Sequence, residues 1–121
     1  MGHVPYTWKL VTDSGVQIAT SVEVAETSWR RFMGLMGRRE LADGSGLCIR
    51  PCNSIHMFFM RFPLDIAFLD GEGRVLRMYH RLRPWRVSRI VFGAKAVLEL
   101  PAGSLATAGV EKGSQLKLLR N

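Results

Sequence analysis

Short apolar segments separated by glycine and proline turns are the feature that most constrains the fold of this chain. Runs rich in β-branched and aromatic residues cover 6–11 and 16–24, and Asp13-Ser14-Gly15 between them has turn chemistry. This arrangement predicts a β-hairpin. Further strand-like runs lie at 47–50, 54–60, 64–70, 74–79, 96–100 and 114–119. The pattern therefore predicts a mostly β fold with about seven short strands.

One segment has a helical period instead. Four apolar residues recur at i, i+3, i+4 and i+7, namely Trp29, Phe32, Met33 and Met36. This spacing predicts a helix with one apolar face that begins near Thr27 and ends at Gly34 or Gly37. We expect a small closed or nearly closed antiparallel β-barrel with one packed helix, forming a single domain over residues 1–121.

The cysteine count and the absence of apolar spans bear on the compartment. Cys48 and Cys52 are the two cysteines, and no apolar run approaches the roughly 20 residues that a membrane span needs. The first residues also lack the basic and apolar regions of a signal peptide. We therefore expect a cytoplasmic protein with reduced thiols and no membrane association.

A basic stretch occupies the region from Arg74 to Arg89. The whole chain carries a formal net charge of +7, and this stretch contains no acidic residue. Arginine binds phosphate with two hydrogen bonds and stacks on bases, so the stretch is typical of anion or nucleic-acid binding. No helix-turn-helix, zinc-finger or RNA-recognition motif accompanies it, which leaves a solvated loop as the alternative. The candidate nucleic-acid contacts are Arg81, Arg83, Trp85, Arg86 and Arg89.

Asp65 stands out because it lies inside a run of apolar residues that predicts a buried strand. A buried carboxylate must be paired, hydrogen-bonded or protonated. Two hypotheses follow: a general acid, base or ligand anchor in a pocket, or a structural group that accepts backbone N–H bonds or pairs with Arg38 or Arg31.

Soft ligands recur every four residues at Cys48, Cys52, His56 and Met60. Four residues of a strand span about 13 Å, so a metal ion would touch two neighbours only if the chain bent sharply. The chain also offers only three Cys and His ligands there, so we expect no metal and no cofactor. A Cys52 and His56 nucleophilic pair stays open, although no third orienting residue is evident.

Three motifs occur in order along the chain: Arg31-x-x-Gly34-Leu35-Met36-x-Arg38, then Ile55-His56-Met57-Phe58-Phe59-Met60-x-x-Pro63-Leu64-Asp65-x-x-Phe68, then Leu98-Glu99-Leu100-Pro101-Ala102-Gly103. From about residue 22 to 119 the sequence resembles domain-of-unknown-function family 192. The resemblance implies one compact β-rich domain found in bacteria and archaea, implies no activity, and favours a site role for Glu99.

A second, shorter resemblance concerns the C-terminal segment 109–116. It is similar to the Gly-Asp turn of small interlocked β-barrels, some of which bind DNA as transition-state regulators. Ser114 stands where that motif has Asp, and its hydroxyl bonds a neighbouring N–H more weakly than a carboxylate does.

The sequence thus supports three functional hypotheses. The first is a binding protein, without catalysis, for a small anionic ligand, and its candidate ligand-binding residues are Arg38, His56, Met60, Asp65 and Glu99. The alternative is a regulatory protein that binds nucleic acid weakly through the basic stretch. The third is an enzyme that uses Asp65, His56 or Cys52 for proton transfer or nucleophilic attack. The sequence indicates no oligomeric state.

Overall fold

One curled sheet of seven strands forms the centre of the computed structural model, which describes residues 6–121. The strands are β1 (Trp8–Thr12), β2 (Gln17–Ala25), β3 (Ser45–Ile49), β4 (Leu64–Leu69), β5 (Val75–Leu82), β6 (Ala96–Pro101) and β7 (Leu116–Arg120). Their order in the sheet is β5-β4-β6-β3-β2-β1-β7. The predicted mostly β fold is confirmed.

All neighbouring strands are antiparallel except β2 and β3, which run parallel. A parallel pair needs a crossover connection, and α1 (Ser28–Met33) lies in it. The predicted hairpin of β1 and β2 is confirmed, and its turn is held by the Thr12 hydroxyl, which accepts the Val16 N–H at 3.0 Å.

The two edge strands of the sheet meet at one end and nearly close the barrel. Val75 N–H, at the start of β5, donates to the carbonyl of Ser114 at 2.9 Å, and Leu116 N–H donates to the carbonyl of Gly73 at 2.9 Å. Gly73 has φ of +84°, and a Cβ at this position would collide with the carbonyl oxygen of Leu116. This junction therefore requires glycine, both for its conformation and for the close approach of the backbones.

Each face of the sheet carries its own apolar cluster. Alternation along β4 assigns Leu64, Ile66 and Phe68 to the outer face and Ala67 and Leu69 to the inner face. The inner cluster fills the barrel and includes a buried residue of the short helix α2 (Ser104–Thr107). The outer cluster is covered by the segments around α1, 52–62 and 87–94. As its continuous apolar run predicts, β4 is buried on both faces.

The predicted helix near Thr27 is confirmed, but its apolar face is not buried. The Thr27 hydroxyl accepts the Arg30 N–H at 3.1 Å, and Gly34 ends the helix. Trp29 and Phe32 are 68% and 59% exposed. The reason is length: α1 has six residues, and the chain reaches the outer cluster only after it ends, with the buried Leu35.

The predicted strand at 54–60 is wrong. This segment forms turns and one isolated bridge between His56 and Val87, and its backbone groups pair with the loop 85–91. Phe59 has φ of +62°, which no extended strand accommodates. The predicted loop 81–95 begins two residues later than expected, because β5 continues through Leu82.

No helix within residues 6–121 is long and apolar enough to cross a membrane. The first five residues lie outside the described part of the chain. The expectation that the N-terminus carries no signal peptide rests on those residues and remains a prediction.

Candidate functional site

Glu99, on β6, is a buried carboxyl on the outer face of the sheet. Only 4% of the residue is exposed, and within residues 6–121 no group donates a hydrogen bond to its carboxylate. Burial raises the pKa of Glu99 from 4.5 to about 7, although the nearby Arg38 guanidinium acts in the opposite direction. At neutral pH this carboxyl is therefore partly protonated, and it serves either as a donor or as an acceptor.

A cavity of about 90 Å³ opens beside Glu99. Its walls come from α1 and the turn after it, the end of β3, the segment 52–60 and β6. The lining residues are Arg31, Phe32, Met33, Gly34, Leu35, Met36, Ile49, Cys52, Ser54, Ile55, His56, Met60 and Glu99. The space is sufficient for several waters or for a molecule of a few heavy atoms, since one water occupies about 30 Å³ of the liquid.

Gly34 allows the chain to pass close to the carboxyl. It has φ of +47°, and a Cβ at this position would lie 3.6 Å from Oε1 of Glu99. Glycine both adopts this conformation without strain and leaves the cavity open on the side of α1.

Arg31 brings a cation to the cavity. Its Nη1 donates to the carbonyl of Pro51 at 3.1 Å, and its Nη2 donates to the Ser28 hydroxyl at 3.4 Å. The Nε–H is buried and has no acceptor within residues 6–121. An unpaired buried donor is costly, and a bound acceptor oxygen would remove that cost.

Cys52 and His56 also line the cavity, and both already make local hydrogen bonds. The Cys52 thiol donates to the carbonyl of Ser54 at 3.0 Å, and burial raises its pKa, so it stays a thiol at neutral pH. Nδ1 of His56 accepts the Phe58 N–H at 3.2 Å. This hydrogen bond requires Nδ1 to be unprotonated.

Met60 and Arg38 have different positions relative to the cavity. Met60 is buried in the outer cluster and forms part of the wall. Arg38 is exposed and does not line the cavity; its Nη2 lies 3.9 Å from Oε2 of Glu23. Its charge nevertheless acts on Glu99.

Asp65 does not share this cavity. It lies on the inner face of β4, where Oδ1 accepts the Arg81 N–H and Oδ2 accepts the Leu105 N–H, both at 3.0 Å. The carboxylate thus fastens β5 and α2 to β4. The structure differs here from the expected cleft with Asp65 beside His56, because the side chains of Asp65 and Glu99 project from opposite faces of the sheet.

The candidate nucleic-acid residues lie on another surface. An open groove of about 420 Å³ is lined by His80, Arg81, Leu82, Arg83, Arg86 and Val87. Trp85 is 58% exposed beside it, and Arg89 is also exposed; its N–H donates to the Tyr79 hydroxyl at 3.1 Å.

Two features of the cavity beside Glu99, the roles of Arg31 and Gly34, were not predicted from the sequence. Arg31 was considered only as a partner of Asp65, and Gly34 only as a helix end, although both belong to the first of the three motifs. Within residues 6–121 there is no group of three or more His, Cys, Asp and Glu residues that could hold a metal ion. The Cys48 thiol lies on the inner face, away from Cys52, and burial raises its pKa to about 11.

Comparison with known proteins gives one family and several relatives. A family model named DUF192 and described as Uncharacterized ACR, COG1430 matches residues 9–118. A UPF0127 protein of Thermococcus sibiricus is 35% identical over 100 residues, which are 78% of this chain and 64% of that protein. The chain thus spans less than two thirds of that relative. A UPF0127 protein of Pyrococcus furiosus is 33% identical over 106 residues, 85% of this chain and 90% of the relative.

Two crystal structures have the same fold. A protein of unknown function from Novosphingobium aromaticivorans superimposes with a TM-score of 0.80 at 27% identity, over 92% of this chain and 83% of the other. A protein of Sinorhizobium meliloti, described as a candidate transcription regulator, gives a TM-score of 0.79 at 29% identity, over 97% of this chain and 98% of the other.

Proposed function

The chain belongs to the family DUF192, described as uncharacterised, and from its own site we propose that it binds a small anionic ligand in the cavity beside Glu99, without catalysis. One observation carries the proposal. Glu99 and Arg31 both line this cavity, Glu99 has no hydrogen-bond partner, and the Nε–H of Arg31 has no acceptor within residues 6–121. A buried donor is rarely left without an acceptor, so the Nε–H of Arg31 favours a ligand that accepts from it, and Glu99 lines the same cavity.

The charge balance of the cavity favours an anion when Glu99 is protonated. Arg31 then supplies a cation and an N–H donor, and Glu99 supplies an O–H donor. The remaining walls are largely apolar and include Met33, Ile49 and Met60. A short carboxylate with a small alkyl group matches this combination, because its oxygens accept both hydrogen bonds while its alkyl group contacts the walls.

The alternative catalytic hypothesis has less support. It requires Asp65, His56 or Cys52 to act with further groups, yet Asp65 lies on the other face of the sheet and is occupied by two backbone N–H donors. The Cys52 thiol has a raised pKa, which opposes formation of the nucleophilic thiolate.

Binding of an anion beside Glu99 must be coupled to protonation of that carboxyl. Bringing a second negative charge into the cavity raises the pKa of Glu99 further, so the complex takes up a proton. Affinity for the ligand should then be constant below pH 7. Above pH 7 it should fall about tenfold for each pH unit. Glu99→Gln, which is neutral at every pH, should remove this dependence.

Isothermal titration with acetate, propionate and butyrate tests the proposal. We expect binding at pH 5.5 that weakens at pH 8.5. The heats should be independent of the buffer at pH 5.5, where Glu99 is already protonated, and should differ between buffers of different ionisation enthalpy at pH 8.5, where binding takes up a proton. Arg31→Met should abolish binding, whereas the matched control Arg30→Met should not, since the Arg30 side chain pairs with Glu23. Absence of binding by all three carboxylates, or equal binding by both arginine variants, would overturn the proposal.

A further inference from the structure

The open groove near the end of β5 is strongly cationic. We name it the cationic groove: it is lined by His80, Arg81, Leu82, Arg83, Arg86 and Val87 and has a volume of about 420 Å³. Within residues 6–121 the ion pairs join Arg30 or Arg38 to Glu23 and Arg50 to Glu26. The arginines of the cationic groove therefore have no carboxylate partner, and their guanidinium groups are exposed to solvent.

A row of aromatic rings runs beside this groove. Neighbouring rings have centroids 4.8–6.2 Å apart and are tilted against one another. We name this row the aromatic strip: Trp29, Phe32, His56, Phe58, Trp85 and Phe59. Its aromatic members other than His56 are 41–68% exposed. Exposed contiguous apolar surface of this kind marks an interaction site.

The backbone at this surface is held in an unfavourable conformation. Within residues 6–121, the non-glycine residues with positive φ are Phe59 at 62°, Arg81 at 54° and Trp85 at 68°. Each belongs to the aromatic strip or to the cationic groove. A left-handed conformation is strained for such residues and is retained where the surroundings or a function require it. All three strained positions thus present a ring or a cation on one surface.

We propose that the cationic groove and the aromatic strip together bind single-stranded nucleic acid. Phosphates would pair with Arg83 and Arg86, and bases would stack on the exposed rings of Phe58, Phe59 and Trp85. This inference does not rest on the small ligand proposed for the cavity beside Glu99, although Phe32 and His56 of the aromatic strip also line that cavity.

The geometry favours a single strand over other anionic partners. A duplex keeps its bases stacked on one another, so it would use the arginines and leave the rings unoccupied. A bilayer surface offers phosphates but no bases to stack on the exposed rings, whereas a single strand presents both together. Stacking accepts any base, so we expect binding that tolerates sequence changes and depends on salt.

Fluorescence anisotropy with a labelled oligo-dT of about 12 nucleotides measures the interaction, since such a length matches the sites of comparable single-strand binders. In about 0.15 M salt we expect micromolar affinity for the oligo-dT. Affinity for a duplex of the same length should be about tenfold weaker, because the duplex lacks the stacking of one or two bases on the rings. Arg83→Gln with Arg86→Gln should lower the slope of log affinity against log salt by about one to one and a half. The charge-matched control, Lys112→Gln with Lys117→Gln, removes two cations elsewhere and should leave that slope unchanged.

Glycine variants separate binding from folding. Trp85→Gly and Phe59→Gly each remove a ring and suit the positive φ, so the melting temperature should stay close to that of the wild type. Affinity for the oligo-dT should fall about tenfold in each. As a second measurement, Trp8→Phe with Trp29→Phe leaves Trp85 as the sole tryptophan and keeps an aromatic ring at position 29 of the aromatic strip. Its fluorescence should be quenched when the oligonucleotide saturates the protein.

Several outcomes would overturn the proposal. One is equal affinity for duplex and single strand with no effect of Trp85→Gly, which would indicate charge attraction alone. Absence of quenching of Trp85 at saturation is another. Tighter binding to anionic phospholipid vesicles than to the oligonucleotide, or dimerisation that masks Trp85, would assign the surface to a different partner. If both Trp85→Gly and Phe59→Gly lose the preference for single strands over duplex, the result supports the proposal.

Discussion

Replacing Glu99 with Gln should change the pH dependence of stability in a defined direction. The pKa of Glu99 is about 7 in the folded chain and ordinarily 4.5. The folded state therefore holds the proton more tightly than the unfolded state does. The associated stabilisation is fully present below pH 4.5, declines as pH rises, and is lost above pH 7. The difference between the two pKa values corresponds to about 3 kcal/mol.

Glu99→Gln removes this titration and keeps the size of the side chain. We expect the free energy of unfolding of the variant to match that of the wild type within about 1 kcal/mol at pH 4.5. At pH 8 the variant should be more stable by about 3 kcal/mol. For a chain of this size that difference moves the urea midpoint by about 1–2 M.

Urea unfolding followed by circular dichroism from pH 4.5 to 8.5 measures the effect. Glu111→Gln, which removes an exposed carboxylate from a surface turn, controls for the change in net charge. The quantity of interest is the difference between each variant and the wild type at every pH. If the curves for Glu99→Gln and the wild type run parallel across this range, Glu99 is not desolvated in the folded chain and the reasoning fails.

Three further predictions concern the scaffold. Asp65→Ala should cost about 3 kcal/mol in urea melts, because one buried and one part-buried N–H donor lose their acceptor, whereas Asp65→Asn should cost less. Gly73→Ala should lower the free energy of unfolding by more than about 2 kcal/mol, since the added methyl group meets the carbonyl of Leu116 and the backbone has positive φ. In thiol titration at neutral pH, Cys48 should react only after denaturation and Cys52 slowly before it, since burial raises both pKa values.

Local signals in the sequence were sufficient for much of the fold. The β1–β2 hairpin follows from the turn residues at 13–15, and the burial of β4 follows from its continuous apolar run. The start of α1 follows from the capping residue Thr27. The prediction of a strand at 54–60 is wrong because this segment has the apolar content of a strand. No residue near Phe59 indicates its left-handed backbone conformation.

The cavity could not be derived in the same way. Alternation shows which residues of one strand share a face, but it does not show which faces of two strands coincide. The register in which β4 and β6 pair places Asp65 inside the barrel and Glu99 outside it, although both are buried strand carboxylates. Arg31 reaches Glu99's cavity only because β2 and β3 pair in parallel and α1 crosses between them, and this pairing is a non-local property of the chain.

The incomplete closure of the barrel has a consequence for solubility. Beyond their junction near Val75, β5 and β7 each have one long side without a neighbouring strand in the described chain. Such edges recruit strands from other molecules and start aggregates unless charge prevents it. Here exposed cations occupy both edges, Arg77 and Arg81 on β5 and Lys117 and Arg120 on β7. Two copies that approach edge to edge therefore meet like charges, and electrostatic repulsion protects the protein from polymerising through its own sheet.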